Sequence, residues 1–269
     1  MSTSDTNRAA GDIRVAAMTP PLAPAAPVSQ PARRLRVLGA LAGITGPVLL
    51  ALYFTAPALA RWPSAGVSPG TLIAYATAHR LLFYGGGWLQ VSGALLSIVF
   101  FLVLLQLSGA RGTLAGSATV TGCALLLSVV VIEAALLEAV PVAAANGDRA
   151  TVATAFALSN GVFARIFPLA PAPLVFAGTG FALSGTSILP RVFARTAVLI
   201  SGLFLIAGLA AAFATAGLIL AVVMSIVEAV WIAAAAIALA RTTGVPVGSS
   251  RLREHKQGRR HRRAAARLS

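Results

Sequence analysis

The stretch Thr196–Ala240, TAVLISGLFLIAGLAAAFATAGLILAVVMSIVEAVWIAAAAIALA, holds 45 residues and one charged side chain, Glu228. As a single straight helix it would measure about 67 Å, more than twice the roughly 30 Å hydrocarbon core of a bilayer. It therefore reads as a hairpin of two membrane spans, with its turn near Ala214 to Gly217. A soluble core is excluded by composition. From Val37 to Ala240 there are eleven charged residues in 204, whereas the remaining 65 residues carry seventeen. Overall, 58% of residues are apolar and 10% charged, and the mean hydropathy is +0.86; in soluble domains about a quarter of residues are charged.

Working outward, every backbone N–H and C=O inside hydrocarbon must be satisfied internally, so each crossing must be a helix of about 20 residues. That length rule predicts an all-α, polytopic transmembrane bundle of six spans, at about 37–60, 81–107, 117–142, 161–189, 196–213 and 218–240. Six spans put 17 of the 21 basic residues on one side and Arg61, Arg80, Arg149 and Arg165 on the other. Because cytoplasmic segments retain Lys and Arg, both ends are expected in the cytoplasm. Twenty of the 21 basic residues are Arg, in a chain rich in Ala, Gly and Pro. This bias suggests a GC-rich bacterial genome and hence a bacterial inner membrane. Arg33-Arg34 followed by an apolar run ending Ala58-Leu59-Ala60 also resembles a twin-arginine signal, but that run is longer than a usual signal core and long enough to span.

Residues 1–35 are rich in Pro, Ala and Ser and too poor in bulky apolar groups to form a core, so they read as a disordered cytoplasmic arm. Residues 242–269 form a basic tail whose densest run contains Arg259, Arg260, Arg262 and Arg263. Beside a cytoplasmic helix end such a run attracts anionic lipid headgroups, by about 1 kcal/mol per basic residue near the surface. No aromatic interleaving accompanies it, so no nucleic-acid partner is expected. Between the first two spans, Ser68-Pro69 looks like a cap and first-turn proline opening a short interfacial helix with Leu72, Ile73 and Tyr75.

Three acids, Glu133, Glu138 and Glu228, fall inside predicted spans. An ionised carboxylate near the bilayer centre costs at least a few kcal/mol unless it is paired, protonated or hydrated, which makes these residues functional candidates. Glu133 and Glu228 each lie about 15 Å from the outer span ends and approach the midplane, where they can face each other. Two carboxylates in one dry site cannot readily both ionise, so at least one should hold a proton, the chemistry of a relay. The alternative is packing: a protonated Glu donates a hydrogen bond to a neighbouring helix, worth roughly 0.6 to 2 kcal/mol. Glu138 is shallower and about 140° around the helix from Glu133. Its expected role is a structural ion pair with Arg165, with the outer-face cluster His79/Arg80 as the other candidate partner.

His79 is the one histidine inside the membrane domain and Cys123 is the one cysteine of the chain. No HExxH, paired-Cys or acidic cluster is present, so no metal and no cofactor are expected. There is no GxSxG elbow, and no enzyme activity is assigned. Pro168, Pro171 and Pro173 predict a fourth span that is kinked or begins late. Gly85-Gly86-Gly87 permits close helix approach or local unwinding, and Gly39 and Gly43 form a GxxxG. Val131-Ile132-Glu133-Ala134 and Ile226-Val227-Glu228-Ala229 match in character at the same depth, in the third and sixth spans. A repeat of three spans would be inverted, an arrangement that places transporter sites at the midplane between broken helices.

Thr71-Leu72-Ile73-Ala74-Tyr75-Ala76-Thr77-Ala78-His79-Arg80, the run through Phe100-Phe101-Leu102, and Ile188-Leu189-Pro190-Arg191 before a Gly-bearing span together resemble actinobacterial six-span membrane proteins of unknown function. The resemblance covers roughly residues 37 to 213. It implies a helical inner-membrane fold and supplies no catalytic residues; Glu228 and the Arg-rich tail lie outside it. The sequence thus supports an integral plasma-membrane protein with a structural or protein-contact role, with two alternatives. One is a small secondary transporter, proton-coupled through Glu133 and Glu228; the other is a lipid-modifying enzyme, for which no convergent polar site is visible.

Overall fold

The computed structural model describes residues 30–64, 66–213 and 217–243. Among them every regular element is helical: α1 (Gln30–Leu59), α2 (Pro69–Ala78), α3 (Arg80–Ser108), α4 (Leu114–Ala145), α5 (Arg149–Gly161), a π turn (Val162–Ile166), α6 (Phe167–Leu169), α7 (Pro171–Ser184), α8 (Arg191–Phe213) and α9 (Gly217–Thr243), with one 3-10 turn at Ala110–Gly112. Six segments are long and apolar enough to cross a membrane: α1, α3, α4, the compound run Arg149–Ser184, α8 and α9. The protein is a helical membrane bundle.

Several boundaries differ from the expected ones. α1 begins at Gln30 rather than Val37, because a hydropathy rule finds only the turns that hydrocarbon can cover, while the helix continues through Arg33, Arg34 and Arg36. The fourth crossing starts at Arg149 rather than near Gly161, where Asp148 Oδ1 accepts the Thr151 N–H at 3.0 Å and opens α5. It ends at Ser184 instead of Leu189. Within it, the prolines remove three backbone donors. The chain breaks at Ala170 (φ −130°, ψ −57°) and passes through the π turn. The residues of the arm before Gln30, the turn residues 214–216, and Arg259, Arg260, Arg262 and Arg263 lie outside the described residues.

Successive crossings pack side by side, α1 on α3, α3 on α4, α4 on α7, α7 on α8 and α8 on α9, and α9 closes the ring against α1. An even number of crossings puts both ends of the described chain on one face, here the terminal face; the opposite one is the distal face. In lipid there is no hydrophobic force to separate an apolar inside from an apolar outside, so helices sort residues by size. α1 does this plainly. Val37, Leu41, Ile44, Val48 and Leu52 are exposed, while Gly39, Gly43 and Gly46 face its neighbours. A Cβ on Gly43 would lie 2.6 Å from Phe100 Cδ2 and 2.8 Å from Ala236 Cβ, and one on Gly39 2.6 Å from Val103 Cγ1. α4 and α7 approach as closely through Gly122 and Gly178, where a Cβ would come within 2.6 Å of the Val175 and Thr119 backbone nitrogens respectively.

The ring is filled by Phe100, Phe101, Phe176, Phe204 and Trp231, all buried. Trp231 donates its indole N–H to Thr196 Oγ1 at 2.9 Å, tying α9 to α8. A second, smaller core closes the distal face, built by Leu72 and Ala76 of α2, Phe83 of α3, Val140 of α4 and Phe156 of α5. α2 opens where Ser68 Oγ accepts the Thr71 N–H at 3.2 Å. After α1, Arg61 takes a left-handed turn (φ 55°). Tyr75 donates its hydroxyl to Ala60 O at 3.0 Å, and Trp62 then lies against Phe83 and Phe156. Of the glycine triplet only Gly87 is crowded, by Glu138 Oε1, and α3 stays helical throughout.

Candidate functional site

Glu133 and Glu228 are 4% and 7% exposed, and both line one cavity of about 440 Å³. Its walls are α1, α3, α4, the π turn with α6, and α9. The helical spacing of the lining explains why a space exists. Gln90, Ala94 and Ser97 form one stripe of α3, and Ser225, Glu228, Ala229 and Ala233 one face of α9, so the inward positions are short or polar where large aliphatics would fill the volume. Ile226 and Val230, on the flanks of that α9 face, project outward and are exposed. Leu126, Val130, Phe163 and Phe167 supply apolar wall.

The two carboxyls have different surroundings. Tyr53 of α1 donates its hydroxyl to Glu133 Oε1 at 3.3 Å, and Gln90 of α3 lines the same cavity. Gln90 itself is buried, and its Oε1 has no partner. Glu228 makes no hydrogen bond among the described residues. The titratable group within its electrostatic reach is the buried thiol of Cys123 on α4. No Arg, Lys or His is among the described residues that line the cavity. Ionised carboxylates in such a place need a partner brought from elsewhere, a proton or a cation.

Access to this space is restricted on two sides and open on a third. Toward the terminal face α1, α3 and α9 meet at Gly43, Phe100 and Ala236. Toward the distal face the Phe54 ring lies 5.5 Å from that of Phe163, and Tyr53 5.0 Å from Phe54. Beyond them sits the α2/α5 core. Between α1 and α9, however, the rim is made by Val48, Ile226 and Val230, which are 52%, 54% and 63% exposed on the apolar outer surface. The cavity thus opens sideways, where a bilayer's hydrocarbon would lie.

The other expected groupings fall elsewhere. Glu138 is exposed and packs over Gly87, and Arg165 is exposed on the π turn. No hydrogen bond or ion pair joins Glu138 to Arg165 or to His79 or Arg80 among the described residues. Glu138 lies against α3 at Gly87. His79 and Arg80 are exposed at the joint of α2 and α3, where the His79 ring sits 4.4 Å from that of Tyr75. Among the described residues no three His, Cys, Asp or Glu side chains gather into a metal-sized cluster.

Tyr53 and Gln90 were not among the expected site residues. A signal for Gln90 existed: an amide in the middle of an apolar span costs free energy unless it is satisfied. Comparison with known proteins adds nothing to this geometry, since no family model, no curated protein and no solved structure matches the chain.

Proposed function

We propose that the protein is a small proton-linked secondary carrier of a bacterial plasma membrane, with both ends in the cytoplasm and the basic tail against anionic lipid headgroups. The observation that supports this most is the shared cavity, which holds two buried carboxyls from helices in different halves of the chain. A site near the midplane, walled by a broken helix, is a recurrent device of secondary carriers. Here the break is the π turn with Ala170, and it contributes Phe163 and Phe167 to the wall. The orientation rests on the distribution of basic residues, 17 against four.

A purely structural role accounts poorly for the cavity. Two buried carboxyls are less stabilising than apolar residues of similar volume, and a bundle selected for packing alone would close the space between Ala94, Ala229 and Ala233. The residues divide the work. Glu133, held by Tyr53, is the fixed carboxyl; Glu228, without a donor, is the group that exchanges its proton. Pyranine-loaded proteoliposomes under an imposed pH gradient, challenged with a panel of small amines, carboxylates and neutral solutes, test the reading. Solute-dependent proton movement is expected from the wild type and from Glu138→Gln, and its loss from Glu133→Gln and Glu228→Gln. Intact flux in both cavity variants, or no solute-dependent flux at all, overturns it.

A further inference from the structure

The polar groups of the cavity are unevenly committed. Each hydroxyl proton is already used: Thr55 donates to Ala51 O at 2.8 Å, Ser97 to Gly93 O at 2.9 Å, Ser225 to Ala221 O at 2.9 Å and Tyr53 to Glu133. The buried acceptor left without a partner is Oε1 of Gln90, and the carboxyl of Glu228 takes part in no hydrogen bond among the described residues. A ligand that satisfies these atoms must bring donors, and one that neutralises a carboxylate away from water must bring positive charge.

The walls set the other half of the ligand. Leu126, Val130, Phe163 and Phe167 offer no partner to a polyol, and an anion would add like charge to two carboxyls. The volume lies within the range of small-molecule sites, about 300–1,000 Å³. The opening at Val48, Ile226 and Val230 faces the bundle's apolar exterior, so a solute arriving by this route is already dissolved in hydrocarbon.

We propose that the cavity binds a lipophilic amine as its ammonium ion, a compact apolar body with one N–H-bearing end: the amine sheds its proton in the interfacial water, enters from the bilayer between α1 and α9 as the neutral base and takes the proton of Glu228, which leaves an ammonium–carboxylate pair. The ligand class follows from the cavity; the exchange rests on the carrier reading above. Charge balances, since the proton that Glu228 loses is the one the amine gains and the cavity keeps its net charge, while the proton the amine left in the water is the one released to solvent. The titratable groups facing that exchange are Tyr53 from α1, Cys123 and Glu133 from α4, and Glu228 itself from α9. α3 contributes the neutral Gln90, the π turn and α6 contribute rings, and Arg165 and, on neighbouring α8, Arg195 are exposed.

Three probes with one apolar body separate the contributions: 1-adamantylammonium, 1-adamantanol and adamantane-1-carboxylate. Each is titrated calorimetrically into the full chain in nanodiscs, against empty nanodiscs, in two buffers of different ionisation enthalpy. The cation is expected to bind with proton release, the alcohol about thirtyfold more weakly, as for loss of a desolvated charge pair, and the carboxylate not at all. Glu228→Gln should reduce cation binding to the level of the alcohol while alcohol binding persists, which reports an intact cavity. Val230→Trp at the rim should slow cation association. Equal affinity for cation and alcohol, preference for the carboxylate, unchanged cation binding in Glu228→Gln, or no binding of any probe overturns the proposal. Cation binding without vesicle flux would sink the carrier reading and keep the site; proton-linked flux of anions or neutral solutes would keep the carrier and sink the cation.

Discussion

The two ends of the bundle are made from the same amino acids and put them to opposite uses. On the terminal side, Gly39, Gly43, Ala236 and Leu239 bring α1, α3 and α9 into backbone-close contact around Phe100. Toward the distal side the same α1 and α9 present Ala51, Ala229 and Ala233 to an open space that holds Glu133 and Glu228. Small residues therefore have no fixed meaning along these helices. Opposite a large ring they allow contact; opposite other small residues they leave a volume. The charges accumulate where packing stops, because a carboxyl can be accommodated only where a proton, a donor or a ligand can reach it.

The sharpest way to break this contrast is to enlarge one alanine on each side, seven residues apart on α9. Ala236→Leu inserts a side chain where Gly43 and Phe100 leave none, and overpacking of this kind costs about 1–3 kcal/mol or more. A lowered melting temperature in detergent and poor recovery of monodisperse protein are expected. Ala229→Leu should fold normally, because it fills existing volume, and should lose the cavity's ligand. If both variants unfold equally, the cavity is not a space the fold tolerates and the contrast fails.

A smaller effect is expected between α8 and α9. Thr196→Val removes the acceptor of the Trp231 N–H in a low-dielectric setting. Interhelical hydrogen bonds in membranes are worth about 0.6–1.7 kcal/mol, so thermal unfolding should shift by about 2–4 °C per kcal/mol, with a change in Trp fluorescence that reports the freed indole. No shift in either signal would mean that this bond contributes nothing to seating α9 on α8.

The smallest effect lies at the distal rim, at the start of α5. Hydrogen bonds from the Thr151 hydroxyl and N–H hold the exposed Asp148 carboxyl below its ordinary value. A carboxyl lowered in the folded state stabilises above its unfolded pKa of about 3.9, and that contribution disappears as the pH falls through the lower folded value. Amide exchange in the first turn of α5 should therefore be faster in Asp148→Ala than in the wild type at neutral pH. The difference should close as the pH drops below about 4. A difference independent of pH would assign the effect to side-chain shape instead of charge.

Much of this contrast was legible in the chain and part of it was not. Depth is additive at 1.5 Å per residue, so counting alone placed Glu133 and Glu228 at one level. Azimuth is not recoverable in that way when every face of a helix is apolar: whether Glu228 turns toward α1 or toward lipid depends on how Gly43 and Ala236 dock. The same ambiguity affects Glu138, expected beside Arg165 and found over Gly87 of α3. Tyr53 escaped notice because a tyrosine near a span end is ordinary at an interface. The start of α5 was missed because Arg149 and the polar residues after it lie beyond the reach of a hydropathy rule, although Asp148 and Thr151 carry a helix-opening pattern.

The π turn at Val162–Ile166 has a consequence for how this chain can change its length. A π turn holds one more residue than the α turn it replaces, so loss of a single residue there would restore α geometry while the helix before it and the helix after it keep close to their present faces. The change would be confined to the residues of the turn, Phe163 and its contact with the Phe54 ring among them, while α7 stayed seated on α4 through Gly178. Single-residue deletions, which elsewhere in a crossing helix turn one part against the other by about 100°, would at this point be absorbed within the wall itself.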